Sequence, residues 1–393
     1  MAFDPNAATA TYIDSLGAAA LEKAHAYTVG GHWLLLWGLV VAAIATWLIV
    51  RSGVLDKLDA KLGERRRVLR AFVVSGVYFL VSVVLSAPWT IYSGWWRERD
   101  YGRTTQPLGD FLGQASLMTV LTALISAIFM VGVYALIRRA GRSWWIWSGG
   151  LTAIVLAFVF LISPVVIEPL FNKYEPVPPG PVRSALVEMA AKAHIPADRI
   201  FMFNGSRQSN NFTANVSGIG SSARVAISDV AMKQASLDEV RAVTGHEIGH
   251  YVLGHVWFGL IVYSLLAILL FFLADRLFPR FARAFGSSAS IGEPRGVAVL
   301  LFIVGLFALV ASPITNTLTR TIEAQADHYS LQTENRPDAL ATALVKTAAY
   351  RYPRPGAVEE FIFYDHPSVE RRVRTAMEWK AAHPPAPAPA PAP

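Results

Sequence analysis

Cysteine is absent from all 393 residues, which excludes disulfides, thiolate metal ligands and a cysteine nucleophile. Charge is also sparse. Asp, Glu, Lys and Arg make up 16% of the chain, against about a quarter in an ordinary soluble protein, while 53% is hydrophobic. No block of 20 to 50 residues repeats, so solenoids and propellers are excluded, and the prolines and glycines follow no collagen-like period. The formal net charge is +7 and the isoelectric point about 9.6. In a soluble chain that balance raises nucleic-acid binding; here the basic residues flank apolar runs, the placement of membrane-edge arginines, and no nucleic-acid partner is expected.

Those runs are the main content of the chain. Six stretches, Trp33–Val50, Ala71–Ser93, Ser116–Ile137, Trp144–Ile167, Val256–Ala274 and Gly296–Thr319, contain no Asp, Glu, Lys or Arg. Each is of the length a helix needs to cross about 30 Å of hydrocarbon. Tryptophans mark several edges, at Trp33, Trp95, Trp96, Trp144, Trp145 and Trp257, where an amphipathic indole prefers the headgroup level. Asp4, Asp14 and Glu22 precede the first span with only Lys23 to oppose them, unlike a basic signal-peptide start, so that span is expected to be retained.

The rest divides around the spans. Residues 1–175 hold an N-terminal segment and four spans, 176–255 an extramembrane α+β segment, 256–319 two more spans, 320–380 a second polar segment, and 381–393 a disordered Pro/Ala tail. The prolines from Pro176 to Pro181 stop any continuing helix. Val182–His194 then reads as helix, and Ile200–Asn204, Phe212–Gly218 and Arg224–Ser228 as short strands. Ser236 and Glu239 have capping-box spacing and predict a helix start.

That helix carries His246, Glu247, Ile248, Gly249 and His250. At 100° per residue the two histidines lie about 40° apart and can share one ion, with Glu247 beside them, placed to contact an activated water. Two histidines need a third ligand. His255, about 140° around the helix from His250, points away, and the metzincin pattern fails because Leu253 and Val256 stand where it needs Gly and His. Glu323 and Asp327, an i, i+4 acidic pair beyond the sixth span, supply a candidate: Glu323 on the metal, Asp327 hydrogen-bonded to a ligand histidine; a solvated acidic face is the competing reading. Asp365, His366 and Pro367 lead into Glu370, Arg371 and Arg372. An imidazole and a guanidinium there would steady an oxyanion, although the string also reads as a surface turn entering a basic helix.

Taken together, the His246–His250 string with Tyr251 and His255, the Glu323–Asp327 string, His366-Pro367 with Arg372, Pro169–Asn172, and Val216–Gly220 resemble the type I CAAX prenyl proteases, integral-membrane zinc metallopeptidases. The resemblance runs from about residue 90 to 375. It implies one Zn2+ held by His246, His250 and Glu323, Glu247 as general base, Asp327 supporting a ligand from behind, and His366 and Arg372 as substrate or oxyanion contacts. It also implies a mainly α fold: a ring of about six tilted membrane helices around a water-filled chamber, with a small α+β peptidase domain. Two departures stand out. Relatives typically read Asn-Ala-Tyr in the substrate-binding edge strand, where this chain has Thr213, Ala214 and Asn215, and eukaryotic members have a seven-span plan.

The expected activity is therefore zinc-dependent endoproteolysis of peptide or membrane-protein substrates, prenylated or otherwise lipidated, in the lipid bilayer. A quality-control protease with no prenyl requirement would use the same residues. A transporter or channel with a structural metal is disfavoured, since such proteins place ionisable groups within their spans. The compact termini suggest a bacterial plasma membrane. Six spans put the termini and catalytic segments on one face, whose short segments carry four basic residues, Lys23, Arg97, Arg99 and Arg103, against fourteen in the opposite loops at 51–70, 138–142 and 276–295. The positive-inside rule then directs the catalytic face away from the cytoplasm, opposite to the cytoplasmic face the resemblance implies.

Overall fold

The computed structural model describes residues 3–218 and 220–384. A short α1 (Pro5–Asp14) precedes α2 (Ala18–Ser52), α3 (Val54–Leu62), α4 (Arg67–Ile91), α5 (Arg97–Asp100), α6 (Leu108–Ala140) and α7 (Trp144–Ile162). Five stretches are long and apolar enough to cross a membrane, and one of them, Leu108–Leu170, runs for 63 residues. As one straight helix it would reach about 95 Å, three times the hydrocarbon thickness. Instead it reverses at Gly141, whose φ of 53° and ψ of −120° end α6, and α7 packs back along it. Each of the six apolar runs thus occupies its own helix. Pro88 precedes a π-turn at Tyr92–Trp96, and Pro164 lies in another at Ser163–Ile167, because proline removes an i→i−4 hydrogen bond.

Val133, Tyr134, Trp144, Phe271, Phe278, Val297–Leu300 and Ile303 fill the membrane core between α6, α7, α11 (His255–Phe285) and α12 (Val297–Glu334). Close backbone approach holds α7 to α11: a Cβ on Gly149 would stand 2.2 Å from Ile268 Cγ1. Outward-facing Val84, Ile154 and Ile261 are exposed, as suits side chains meeting hydrocarbon instead of water.

The polar segment after α7 forms a four-stranded sheet in the order β1 (Tyr174–Pro176), β2 (Ile200–Phe203), β4 (Arg224–Ser228), β3 (Ala214–Ser217). β2 and β4 are parallel and both outer pairings antiparallel. Every residue of β4 is buried, which explains its continuous apolar centre. Helices α8 (Pro181–Lys192), α9 (Asp229–Gln234) and α10 (Leu237–Val252) accompany the sheet, with Leu186, Met189, Ile200, Val225, Ile227, Val240 and Ile248 as their shared core. The capping box is present: Glu239 N–H donates to Ser236 Oγ, and Ser236 N–H to Glu239 Oε2. β1 is an addition to the sequence reading, and Arg224 on β4 ties the sheet to the turn that follows α7 through Glu168, 2.6 Å away.

Beyond α12 lie α13 (Pro337–Thr347), α14 (Ala357–Phe363) and α15 (Val369–Ala382). Helix α1 packs on α15 and α13 through Ile13, Leu340, Leu344, Val373 and Met377, and Asp14 pairs with Arg354 at 2.8 Å. The N-terminal segment therefore sits with both polar segments at one end of the helices, while Arg295 reaches Asp56 of the 51–70 loop at the other. Helix α15 runs two residues into the expected tail; residues 385–393 lie outside the described residues.

Candidate active site and metal centre

Glycine spacing brings the two motif helices together. Gly245 and Gly249 lie one turn apart on α10, and a Cβ on Gly249 would stand 3.1 Å from Tyr329 Cδ1 and 3.3 Å from Ala326 Cα of α12. With no side chain there, α10 lies directly on α12, and His246 and His250 face Glu323 and Asp327 across the contact.

The donor atoms of His246, His250 and Glu323 all lie within 4.8 Å of one another. His246 Nε2 is 3.0 Å from His250 Nε2 and 3.2 Å from Glu323 Oε2, and His250 Nε2 is 3.4 Å from Glu323 Oε1. A tetrahedral zinc with ligands at about 2.05 Å separates them by about 3.3 Å, so the triangle has the right edge lengths. Glu323 Oε2 is buried with no hydrogen-bond partner among the described residues, as a carboxylate oxygen reserved for a cation would be. The set of two imidazoles and a carboxylate is that of a catalytic zinc site with a position left open.

Behind the triangle, His246 Nδ1–H donates to Asp327 Oδ1 over 2.9 Å, leaving Nε2 facing the site. Arg372 holds Asp327 in a two-pronged pair, Nε to Oδ2 and Nη2 to Oδ1, each 2.7 Å. The sequence reading placed Arg372 as a substrate or oxyanion contact; its buried guanidinium is engaged by Asp327, with Nη2 3.9 Å from Glu323 Oε2, and it also lines the cavity beside Glu247. His366 Nε2 is 3.2 Å from Glu323 Oε2, and its Nδ1 lies 2.8 Å from Asp365 Oδ1, so this imidazole stands beside the triangle next to Glu323.

His255 stands outside the metal triangle, as expected, but for a different reason. Helix periodicity sends it away from the metal, but α10 ends at Val252 and Gly254 takes a left-handed φ of 71°. The chain turns, and His255 opens α11 with its Nδ1 2.9 Å from His250 Nδ1. The signal was Gly254 itself, since glycine is the residue that takes this conformation without strain.

Glu247 lines a cavity of about 210 Å³ beside the triangle, together with Phe212, Ala214, Val243, Leu340, Leu344 and His366. Burial pushes its carboxyl up to about 7, His246 and Arg372 opposing the shift and Glu323 adding to it. Thr213 and Ala214 line the same cavity. Thr213 bonds toward β4, its C=O accepting from Ser228 N–H. Ladder alternation therefore turns the N–H and C=O of Ala214 and Val216 to the outer edge of β3, which no other strand occupies among the described residues. Asn215 Oδ1 is buried without a partner among the described residues. The wall from α13 and the following loop, including Leu340, Leu344, Tyr350 and Arg351, went unseen in the sequence, where α13 reads as an ordinary amphipathic helix.

Residues 178–380 match the model of peptidase family M48, and residues 6–173 match that of the CAAX prenyl protease N-terminal region, described as five membrane helices. In this chain residues 6–173 hold four long apolar helices, α2, α4, α6 and α7, among the described residues. The chain is 29% identical to uncharacterized metalloprotease YhfN of Bacillus subtilis, over 91% of this chain and 85% of that protein. To the CAAX prenyl protease 1 homolog of Arabidopsis thaliana it is 26% identical, over 80% and 78%. Its fold is similar to the crystal structure of S. mikatae Ste24p, with a TM-score of 0.75 at 19% identity, covering 91% of this chain and 88% of that one. By the M48 match over more than half its length, the chain belongs to peptidase family M48 and is an integral-membrane metalloendopeptidase.

Proposed function

We propose that this protein hydrolyses peptide bonds of lipidated or membrane-associated polypeptides with one zinc ion held by His246, His250 and Glu323. The triangle of donor atoms with tetrahedral edge lengths, closed by an orphaned Glu323 oxygen, carries the reading. Zinc there supplies Lewis acidity and a water ionised near neutral pH. Glu247 takes the proton of the attacking water and passes it to the leaving amine. His366, next to Glu323, steadies the oxyanion, while Arg372 acts one step back by holding Asp327. Substrate adds as a strand to the outer edge of β3, where the main chain of Ala214 supplies hydrogen bonds and Thr213 and Asn215 flank it.

Main-chain recognition tolerates many side chains, so lipid selectivity is tested directly. A farnesylated CAAX peptide and its unprenylated twin are offered to detergent-purified protein, with and without chelator. Cleavage of the farnesylated peptide is expected to fall at least about a hundredfold on zinc removal and to return with added zinc. Equal cleavage of the twin would replace prenyl selectivity by general membrane quality control, a reading the departure at Thr213, Ala214 and Asn215 favours. Chelator-resistant cleavage would overturn the zinc assignment.

The reading extends to a bacterial plasma membrane, and the excess of basic residues in the opposite loops supports a catalytic face away from the cytoplasm. Since the chain has no cysteine, Lys57→Cys and Ser206→Cys variants each carry one thiol. An impermeant thiol reagent applied to intact cells is expected to label Ser206→Cys alone; labelling of Lys57→Cys alone would reverse the orientation.

A further inference from the structure

The imidazole of His255 is nearly buried, 7% exposed, yet it is neither a member of the metal triangle nor part of the cavity lining. Its two nitrogens are both occupied. Nδ1 lies 2.9 Å from His250 Nδ1, and Nε2 lies 3.1 Å from Gln325 Oε1 on α12. Between two Nδ1 atoms at that separation only one proton fits, so the pair has a direction. A carbonyl oxygen carries lone pairs only, which puts the His255 proton on Nε2 and leaves its Nδ1 as acceptor. His250 therefore carries its proton on Nδ1, and its Nε2 lone pair faces His246 and Glu323. The reverse chain, in which His255 Nδ1–H donates, would place a proton on His250 Nε2 in the middle of the triangle, where a cation must sit.

We infer that His255 and Gln325 are positioning residues for the metal: their two successive hydrogen bonds hold His250 in the tautomer and ring orientation that offer Nε2 to the ion. The inference rests on the ligand set proposed above. The two ligand histidines are thereby supported differently, His246 by the carboxylate of Asp327 and His250 by a neutral imidazole. A neutral acceptor orients His250 without bringing a further negative charge beside Glu323 and Asp327. His255 reaches His250 from beyond its own helix because Gly254 turns the chain back, and Gln325 reaches His255 because α12 lies against α11.

The test is zinc affinity of the full-length protein in detergent, stripped of metal and titrated against a competing fluorescent chelator. His255→Ala is expected to weaken zinc binding about 10- to 100-fold, the usual cost of losing a ligand's outer hydrogen bond. His255→Asn, whose side-chain oxygen replaces the Nδ1 acceptor, recovers most of that loss, which a purely packing role would not do. Gln325→Leu gives a smaller loss, and adding it to His255→Ala gives no further loss, because the two bonds act in series. Melting of the metal-free variants monitors folding. If His255→Ala melts early, exposed Gln325 carries the test, and wild-type affinity in Gln325→Leu would overturn the inference. Wild-type affinity in a folded His255→Ala, or equal losses in the Ala and Asn variants, would overturn it as well. A wild-type protein that binds no zinc would instead overturn the ligand assignment on which the inference rests.

Discussion

Replacing Glu247 by Gln is expected to lower kcat by at least about a hundredfold while zinc stays bound, since a positioned general base contributes about 10²- to 10⁴-fold. The substitution is nearly isosteric and Glu247 is not one of the three triangle residues, so neither packing nor the donor set changes. What disappears is a carboxylate able to take a proton from water at the edge of the cavity. Burial pushes the Glu247 carboxyl up to about 7, toward the range of a general base. Zinc content by elemental analysis and kcat on a cleaved peptide, measured on one preparation, decide the matter. A metal-replete variant with wild-type kcat would remove Glu247 from the chemistry; loss of zinc along with activity would show that it serves the site's structure.

What could be read from the chain before its fold divides by range along the sequence. Membrane spans are legible because a helix crossing hydrocarbon needs about 20 consecutive apolar residues, and the six runs each became one helix. The His246–His250 spacing and the Ser236–Glu239 capping box are equally local, three or four residues apart, and the structure holds both. Glu323 is different. It stands more than seventy residues from either histidine, and an acidic pair on a helix is as consistent with a solvated face, so its placement leaned on the family resemblance. The partner of Arg372 is equally long-range: nothing near it in sequence shows that a guanidinium will be held by Asp327, 45 residues earlier. His255 was rightly left out of the ligand set but on the wrong ground, since applying helix periodicity past Gly254 assumed a helix that had already ended. The short β1, three residues ending in Pro176, carries too little pattern to announce a strand.

Arg372→Met separates two roles that sequence leaves entangled, and its expected effect is on stability before catalysis. Both side chains of the Arg372–Asp327 pair are under a tenth exposed, and the guanidinium supplies two 2.7 Å hydrogen bonds to Asp327. Removing one partner of such a pair leaves a buried carboxylate beside Glu323 uncompensated, which costs about 3–5 kcal/mol. Asp327 would then be driven to take a proton, weakening its hold on His246 Nδ1–H, so zinc affinity should fall together with stability. Removing both charges avoids the stranded carboxylate. Thus Arg372→Met combined with Asp327→Asn is expected to melt at a higher temperature in detergent than Arg372→Met alone, although each change by itself removes a native contact. Had Arg372 been the oxyanion contact, kcat would drop with melting temperature and zinc affinity unchanged. That outcome would send its guanidinium back to the substrate, whereas early melting rescued by Asp327→Asn assigns it to the support of His246.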